Sequence, residues 1–156
     1  MTFKMSREEL KKFREMGEGV DPLTLGYLLF KLVGKERVAS LISMGLESGG
    51  MATFGVEKYV EPPKVDFMSD PDMGLFKYMD YPLCTGGGVW LFCRHAETKE
   101  EYGPFLLNER KCALGLGRMF LQEPHQYANV LDDAGADFFT GDTFLQCALL
   151  GKTIYG

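Results

Sequence analysis

The sequence predicts an α+β fold, a predominantly α-helical small domain with a few short strands and a long irregular central segment. Three observations lead there. Helix start and stop signals recur through residues 1–46 and again after residue 104. One continuous apolar run of strand length, Val89-Trp90-Leu91-Phe92-Cys93, lies between them. Residues 47–88 are rich in glycine, proline and aromatic side chains and show little sustained periodicity. The chain therefore reads as a single domain over 1–156, made of a helical unit (1–46), an irregular segment (47–88) and a strand followed by helices (89–156).

Taken in order, Ser6 followed by Glu9 is a capping-box pattern, and Leu10, Phe13 and Met16 give a short amphipathic helix stopped by Gly17-Glu18-Gly19. Asp21-Pro22 supplies an N-cap with proline in the first helical position. The run that follows, with Leu23, Leu25, Tyr27, Leu28, Leu29, Phe30, Leu32 and Val33, is apolar on most sides and reads as the core helix. Gly34 closes it, and Lys35 to Met44 predicts a third helix with Val38, Leu41 and Ile42 inward, ending at Gly45. Phe54, Val56, Lys58 and Val60 read as one strand, and Val65-Asp66-Phe67 as another, separated by Glu61-Pro62-Pro63. Asp70-Pro71 opens a short helix through Tyr78, and three glycines, Gly86 to Gly88, then deliver the chain to the buried strand at Val89–Cys93. From Pro104 to Gln122, Leu106, Ala113, Leu114, Gly117, Phe120 and Leu121 are spaced for a helix face. Pro124 begins a further helical piece through Leu131. The last helix is predicted from Asp142 to Leu150, with Phe144, Leu145, Ala148 and Leu149 inward and Gly151 as its stop.

Charge and composition exclude several function classes. Seventeen basic and twenty-two acidic side chains leave a net charge of −5 with no basic run, which argues against a phosphate-neutralising nucleic-acid surface. The longest stretch without a charged residue, Tyr81 to Cys93, is shorter than the ~18 apolar residues of a spanning helix, so no transmembrane segment is expected. The opening residues Met1 to Glu9 carry charge where a signal peptide is apolar, so no targeting segment is expected there. Cys84, Cys93, Cys112 and Cys147 form no close pair; they read as free buried thiols in a reducing, intracellular compartment, and neither a metal nor a cofactor is predicted. Gly86-Gly87-Gly88 precedes a strand, whereas a phosphate-cradling loop follows one, so it reads as a turn.

The sharpest local pattern is Arg94-His95-Ala96-Glu97-Thr98 at the end of the buried strand. It resembles the strand-end signature Arg-His-Gly-Glu-Thr of the histidine phosphatase superfamily. That resemblance implies phosphoryl transfer, with His95 attacking phosphorus, Arg94 clamping the phosphoryl oxygens and His125, the remaining histidine, as partner. Ala96 stands where the family has glycine, and the motif lies past the middle of the chain. The enzymatic reading is therefore the alternative, and the favoured expectation is a non-enzymatic interaction protein or accessory subunit that docks on a larger multiprotein assembly. Its expected partners are other protein subunits. Its expected anchors are Phe54, Tyr59, Phe67, Phe76, Tyr78 and Tyr81, because apolar side chains on an irregular segment must bury somewhere. A third reading uses Ala113 and Gly117, four residues apart, as a helix face that receives a small ligand or pigment. Its competitor is close helix packing inside the domain.

Overall fold

A computed structural model describes residues 6–8, 20–47, 52–69, 77–132 and 136–153. Among them the chain forms helices α1 (Pro22–Val33) and α2 (Lys35–Glu47), strand β1 (Ala52–Val60), the single turn α3 (Lys77–Asp80) and a 3-10 turn (Tyr81–Leu83). Strands β2 (Gly88–His95) and β3 (Glu101–Leu107) follow, and helices α4 (Glu109–Gln122), α5 (Pro124–Val130) and α6 (Phe138–Leu149) complete the order. This is the predicted α+β class, mostly helical. No helix among the described residues is long and apolar enough to cross a membrane.

The local signals act as the sequence implies. The Asp21 carboxylate accepts from the backbone N–H groups of Leu23 and Thr24, and Pro22 fills the first turn of α1. Gly34, at φ +90°, turns the chain out of α1 while its N–H donates to the Phe30 carbonyl. Asn108 caps α4 by accepting from the N–H of Lys111, 2.9 Å away. Asp137 and Thr140 form a reciprocal capping box that starts α6 at Phe138, four residues ahead of the predicted Asp142.

The sheet is antiparallel in the order β1-β2-β3, with Phe54 opposite Cys93 and Val89 opposite Leu107. Its inner face, Phe54, Val89, Leu91, Cys93 and Leu107, is buried against the helices. At the centre runs α6, packed between α2 and α4, with every residue from Thr140 to Leu149 buried. Cys84, Cys93, Cys112 and Cys147 are all free and buried.

Three expectations are corrected. The core helix is α6, whereas α1 buries only one side, and Leu28 and Leu32 on its other side are 61% and 80% exposed. Residues 101–107 form β3, with helix beginning only at Glu109. Pairing of Phe105, Leu106 and Leu107 with Leu91, Trp90 and Val89 outweighs the helical spacing, and Pro104 is tolerated because β3 is an edge strand. Val65-Asp66-Phe67 joins no ladder and runs as irregular chain. The strand expected through Phe54, Val56, Lys58 and Val60 is β1. The first predicted helix beyond Glu8 and the Asp70-Pro71 helix start lie outside the described residues.

The helices meet through small residues. A Cβ on Gly26 of α1 would overlap the Ala113 carbonyl of α4, and one on Gly117 of α4 would overlap the Pro22 carbonyl of α1. A Cβ on Gly115 would sit 2.7 Å from the Ala148 Cβ of α6. Gly45 of α2 and Gly141 of α6 likewise bring their backbones together. Gly26→Ala is expected to lower unfolding free energy by about 2–4 kcal/mol in urea titrations, because neither backbone can retreat. Gly55→Ala, whose Cβ would meet nothing within 4 Å on β1, should change it by less than ~1 kcal/mol in the stabilising direction.

Candidate functional site

The Arg94–Thr98 motif occupies the tip of the β2–β3 hairpin. The His95 N–H donates to the Glu100 carbonyl and the Lys99 N–H to the His95 carbonyl, closing the loop. The His95 ring faces back into it: Nδ1 accepts from the Thr98 N–H at 3.1 Å and lies 3.1 Å from the Thr98 hydroxyl. Accepting at Nδ1 leaves the proton of the neutral ring on Nε2. Arg94 forms an exposed ion pair with Glu101 across the hairpin, Nη2 to Oε1 at 2.8 Å. His125 is exposed on α5, a helix that packs against α4 and α6. In the arrangement the resemblance implies, a strand end would present an unengaged guanidinium and imidazole to a shared anion. Here the guanidinium is paired and the imidazole nitrogen is used to stabilise a turn.

The cysteines are unsuited to nucleophilic work. Burial raises the Cys93 thiol to about 11, with the charge of Asp142 adding to the shift, and raises Cys147 to about 11. Burial pushes Cys84 and Cys112 upward as well. All four stay protonated at neutral pH, and the thiolate is the reactive and metal-binding form. Among the described residues no cluster of three or more His, Cys, Asp or Glu side chains is placed to hold a metal ion.

The predicted anchors disperse. Phe54 belongs to the core, and Phe67 packs against it with the Lys35 ammonium 5.9 Å above its ring. Tyr78 is half-buried, and Tyr81 is half-buried edge-on to Tyr59, ring centroids 6.1 Å apart. Tyr59 is 42% exposed, and Phe76 lies outside the described residues. Of these anchors among the described residues, Phe54 is buried, and Phe67, Tyr78 and Tyr81 are half-buried in the same chain. Ala113 and Gly117 are buried under α1, so the face assigned to a small ligand or pigment is filled by a helix contact.

Exposed apolar side chains among the described residues occur in the central segment, at Val56, Tyr59, Val65 and Met68, and also outside it. Tyr27, Leu28 and Leu32 project from α1, and Phe138 and Phe139, 54% and 65% exposed, from the start of α6. Beside Tyr27 an open cleft of about 480 Å³ runs between Val60, the Gly86-Gly87 turn and the start of α4 with Arg110. The sequence assigns these α1 residues to the core because α1 is apolar on most sides. The signal that could have found them is Gly26 with Gly117, which marks the one side of α1 narrow enough to bury.

One buried polar group carries a physical consequence. Asp142 on α6 is 7% exposed; its Oδ2 accepts from Gln146 Nε2 at 2.8 Å, while its buried Oδ1 has no partner. Burial raises this carboxyl from 3.8 to about 6, against the opposing Gln146 hydrogen bond. The folded state then holds the proton more tightly than the unfolded chain, so stability is fully present below about pH 4 and declines as pH rises to about 6. Asp142→Asn keeps an acceptor for Gln146 and is expected to stabilise the fold by about 1–2 kcal/mol at pH 7.5 in urea melts, with the gain vanishing below pH 4. Arg94→Ala, which removes a solvent-exposed ion pair, should shift stability by less than ~0.5 kcal/mol.

Comparison of the chain with protein-family models, with curated proteins and with solved structures finds no match.

Proposed function

We propose that this is a non-enzymatic interaction subunit that attaches to other proteins through apolar side chains held outward by a rigid helical frame. The observation that carries the reading is the pair Leu28 and Leu32, one helical turn apart and 61% and 80% exposed on a helix whose opposite side is locked to α4 by glycine contacts. Isolated exposed leucines are ordinary, whereas a pair flanked by Tyr27 on one turn of helix is a contiguous apolar outcrop of the kind found at interface centres. A second outcrop, Phe138 and Phe139, offers two rings at the mouth of α6. The central segment adds exposed Val56, Tyr59, Val65 and Met68. Membership of a larger multiprotein assembly is the biological form of this proposal.

The test is native affinity purification of the full chain from its own cells, comparing the wild type with Leu28→Asp/Leu32→Asp and with Phe138→Ser/Phe139→Ser. Because these side chains face solvent, both variants should keep the wild-type circular dichroism spectrum. At least one is expected to lose co-purifying protein by about tenfold or more, as removal of interface anchors costs more than ~1.4 kcal/mol. Unchanged recovery in both variants, or phosphatase activity of the purified chain that His95→Ala abolishes, would overturn the proposal.

A further inference from the structure

Asp142 sits where a negative charge has little to meet it. The residue is 7% exposed, its Oδ2 accepts from Gln146 and its Oδ1 has no partner. It lies a full turn beyond the Asp137 cap, past the free N–H groups at the start of α6. Charged groups on the neighbouring elements are engaged elsewhere or turned to solvent. Arg37 of α2 donates to the Val130 carbonyl, Arg118 of α4 donates to the Cys147 carbonyl, His125 of α5 is exposed, and Arg94 and Glu101 pair across β2 and β3. Burial and the Gln146 hydrogen bond govern the protonation of Asp142, with no cation contributing. The titratable group that faces the carboxylate is the Cys93 thiol on β2, which feels its charge. Ionised, Asp142 is a buried anion with a single donor, a costly arrangement that protonation relieves.

The two sides of this stretch of α6 are held differently. Toward α2, the neighbouring Gly141 lies against the Gly45 backbone, and neither helix can yield there without a clash. Toward the sheet the cover is thinner: from residue 92 to residue 106 only Cys93 is buried, with Phe54 of β1 opposite it. The β2–β3 register also shifts between Leu91 and Cys93, so the outer half of the hairpin does not continue the inner ladder without a break. A segment with so few buried contacts opens at lower cost than the domain as a whole. We infer that Asp142 is a pH-operated latch beneath the outer half of the β2–β3 hairpin: protonated, it lets Cys93 close over it, and ionised, it parts that half of the hairpin from α6 so that water reaches the carboxylate. The latch needs no other protein and stands independently of the interaction reading above.

Labelling of the thiols in the full chain with 4,4′-dithiodipyridine, read residue by residue through peptide mass spectrometry, tests the latch. Cys112 within α4 reports opening of the whole domain, whereas Cys93 reports the hairpin. In the wild type at pH 7.5 without urea, Cys93 is expected to label about tenfold or more faster than Cys112. Its rate should stay flat in low urea while that of Cys112 rises, because local opening exposes little surface. Wild type and Asp142→Asn are compared at the same pH, so that the titration of the thiol itself cancels. The variant should label Cys93 about tenfold or more slowly at pH 7.5, and at the wild-type rate below pH 4. Equal rates for Cys93 and Cys112 in the wild type, a comparison that needs no variant, would show that opening is global and overturn the latch. A Cys93 rate at pH 7.5 that Asp142→Asn leaves unchanged overturns it as well.

Discussion

The architecture depends on helix backbones approaching each other at positions without side chains. Two crossings set it: α1 against α4 through Gly26 and Gly117, and α2 against α6 through Gly45 and Gly141. A glycine within a helix costs about 1 kcal/mol relative to alanine, and here the cost is offset by carbonyl and amide groups of neighbouring helices lying in van der Waals contact. Gly115, against Ala148 and the Phe144 ring, joins α4 to the same axis. Because α6 is contacted on both sides this way, it becomes the most buried element although it carries Thr140, Asp142, Thr143 and Gln146. Backbone proximity, more than side-chain hydrophobicity, decides which helix is central.

That explains which parts of the fold were legible in the sequence. Boundaries written in local chemistry were: Asp21-Pro22 opens α1, Gly34 closes it, Pro124 opens α5, and Val89 to Cys93 lies in a buried strand. Features that depend on distant partners were not. Leu23 to Val33 looks like a core helix because eight of its residues are large and apolar, yet a helix locked on one side by Gly26 exposes what lies opposite. Residues 101–107 show how a helical spacing of apolar residues yields to a neighbouring strand, since a ladder with β2 satisfies their backbone while burying Leu107 completely. Asp142 in the core could not be foreseen, because its Gln146 partner matters only once burial is known.

The candidate site follows the same division. The Arg-His-x-Glu-Thr pattern was visible, but its role depends on whether the strand before it lies in a parallel or a hairpin setting, and β2 turns back directly into β3. In a hairpin tip those polar residues serve the turn: Thr98 binds His95, Glu100 accepts from the Tyr102 hydroxyl, and Glu101 pairs with Arg94. The central aromatics fared likewise. Phe54 alternates into the sheet's inner face and Phe67 lies against Lys35, while Val56, Tyr59, Val65 and Met68 of the same segment stay exposed. Exposed apolar surface among the described residues is therefore shared between the middle of the chain, at Val56, Tyr59, Val65 and Met68, and α1 with the start of α6.

The two sides of α1 are linked by energetics as well as geometry. Its inner side cannot shift without forcing Gly26 into the Ala113 carbonyl, so its outer side is presented in one orientation. Binding to a mobile segment must first order it, at a cost of about 1–2 kcal/mol per backbone residue. A helix already capped by Asp21 and Gly34 and locked along its length has met that cost during folding. On the interaction reading proposed above, Leu28 and Leu32 need to recover only their own side-chain ordering and desolvation to give a contact. On that same reading, a substitution that loosened α1 from α4 would weaken docking through Leu28 and Leu32 without touching a single exposed residue.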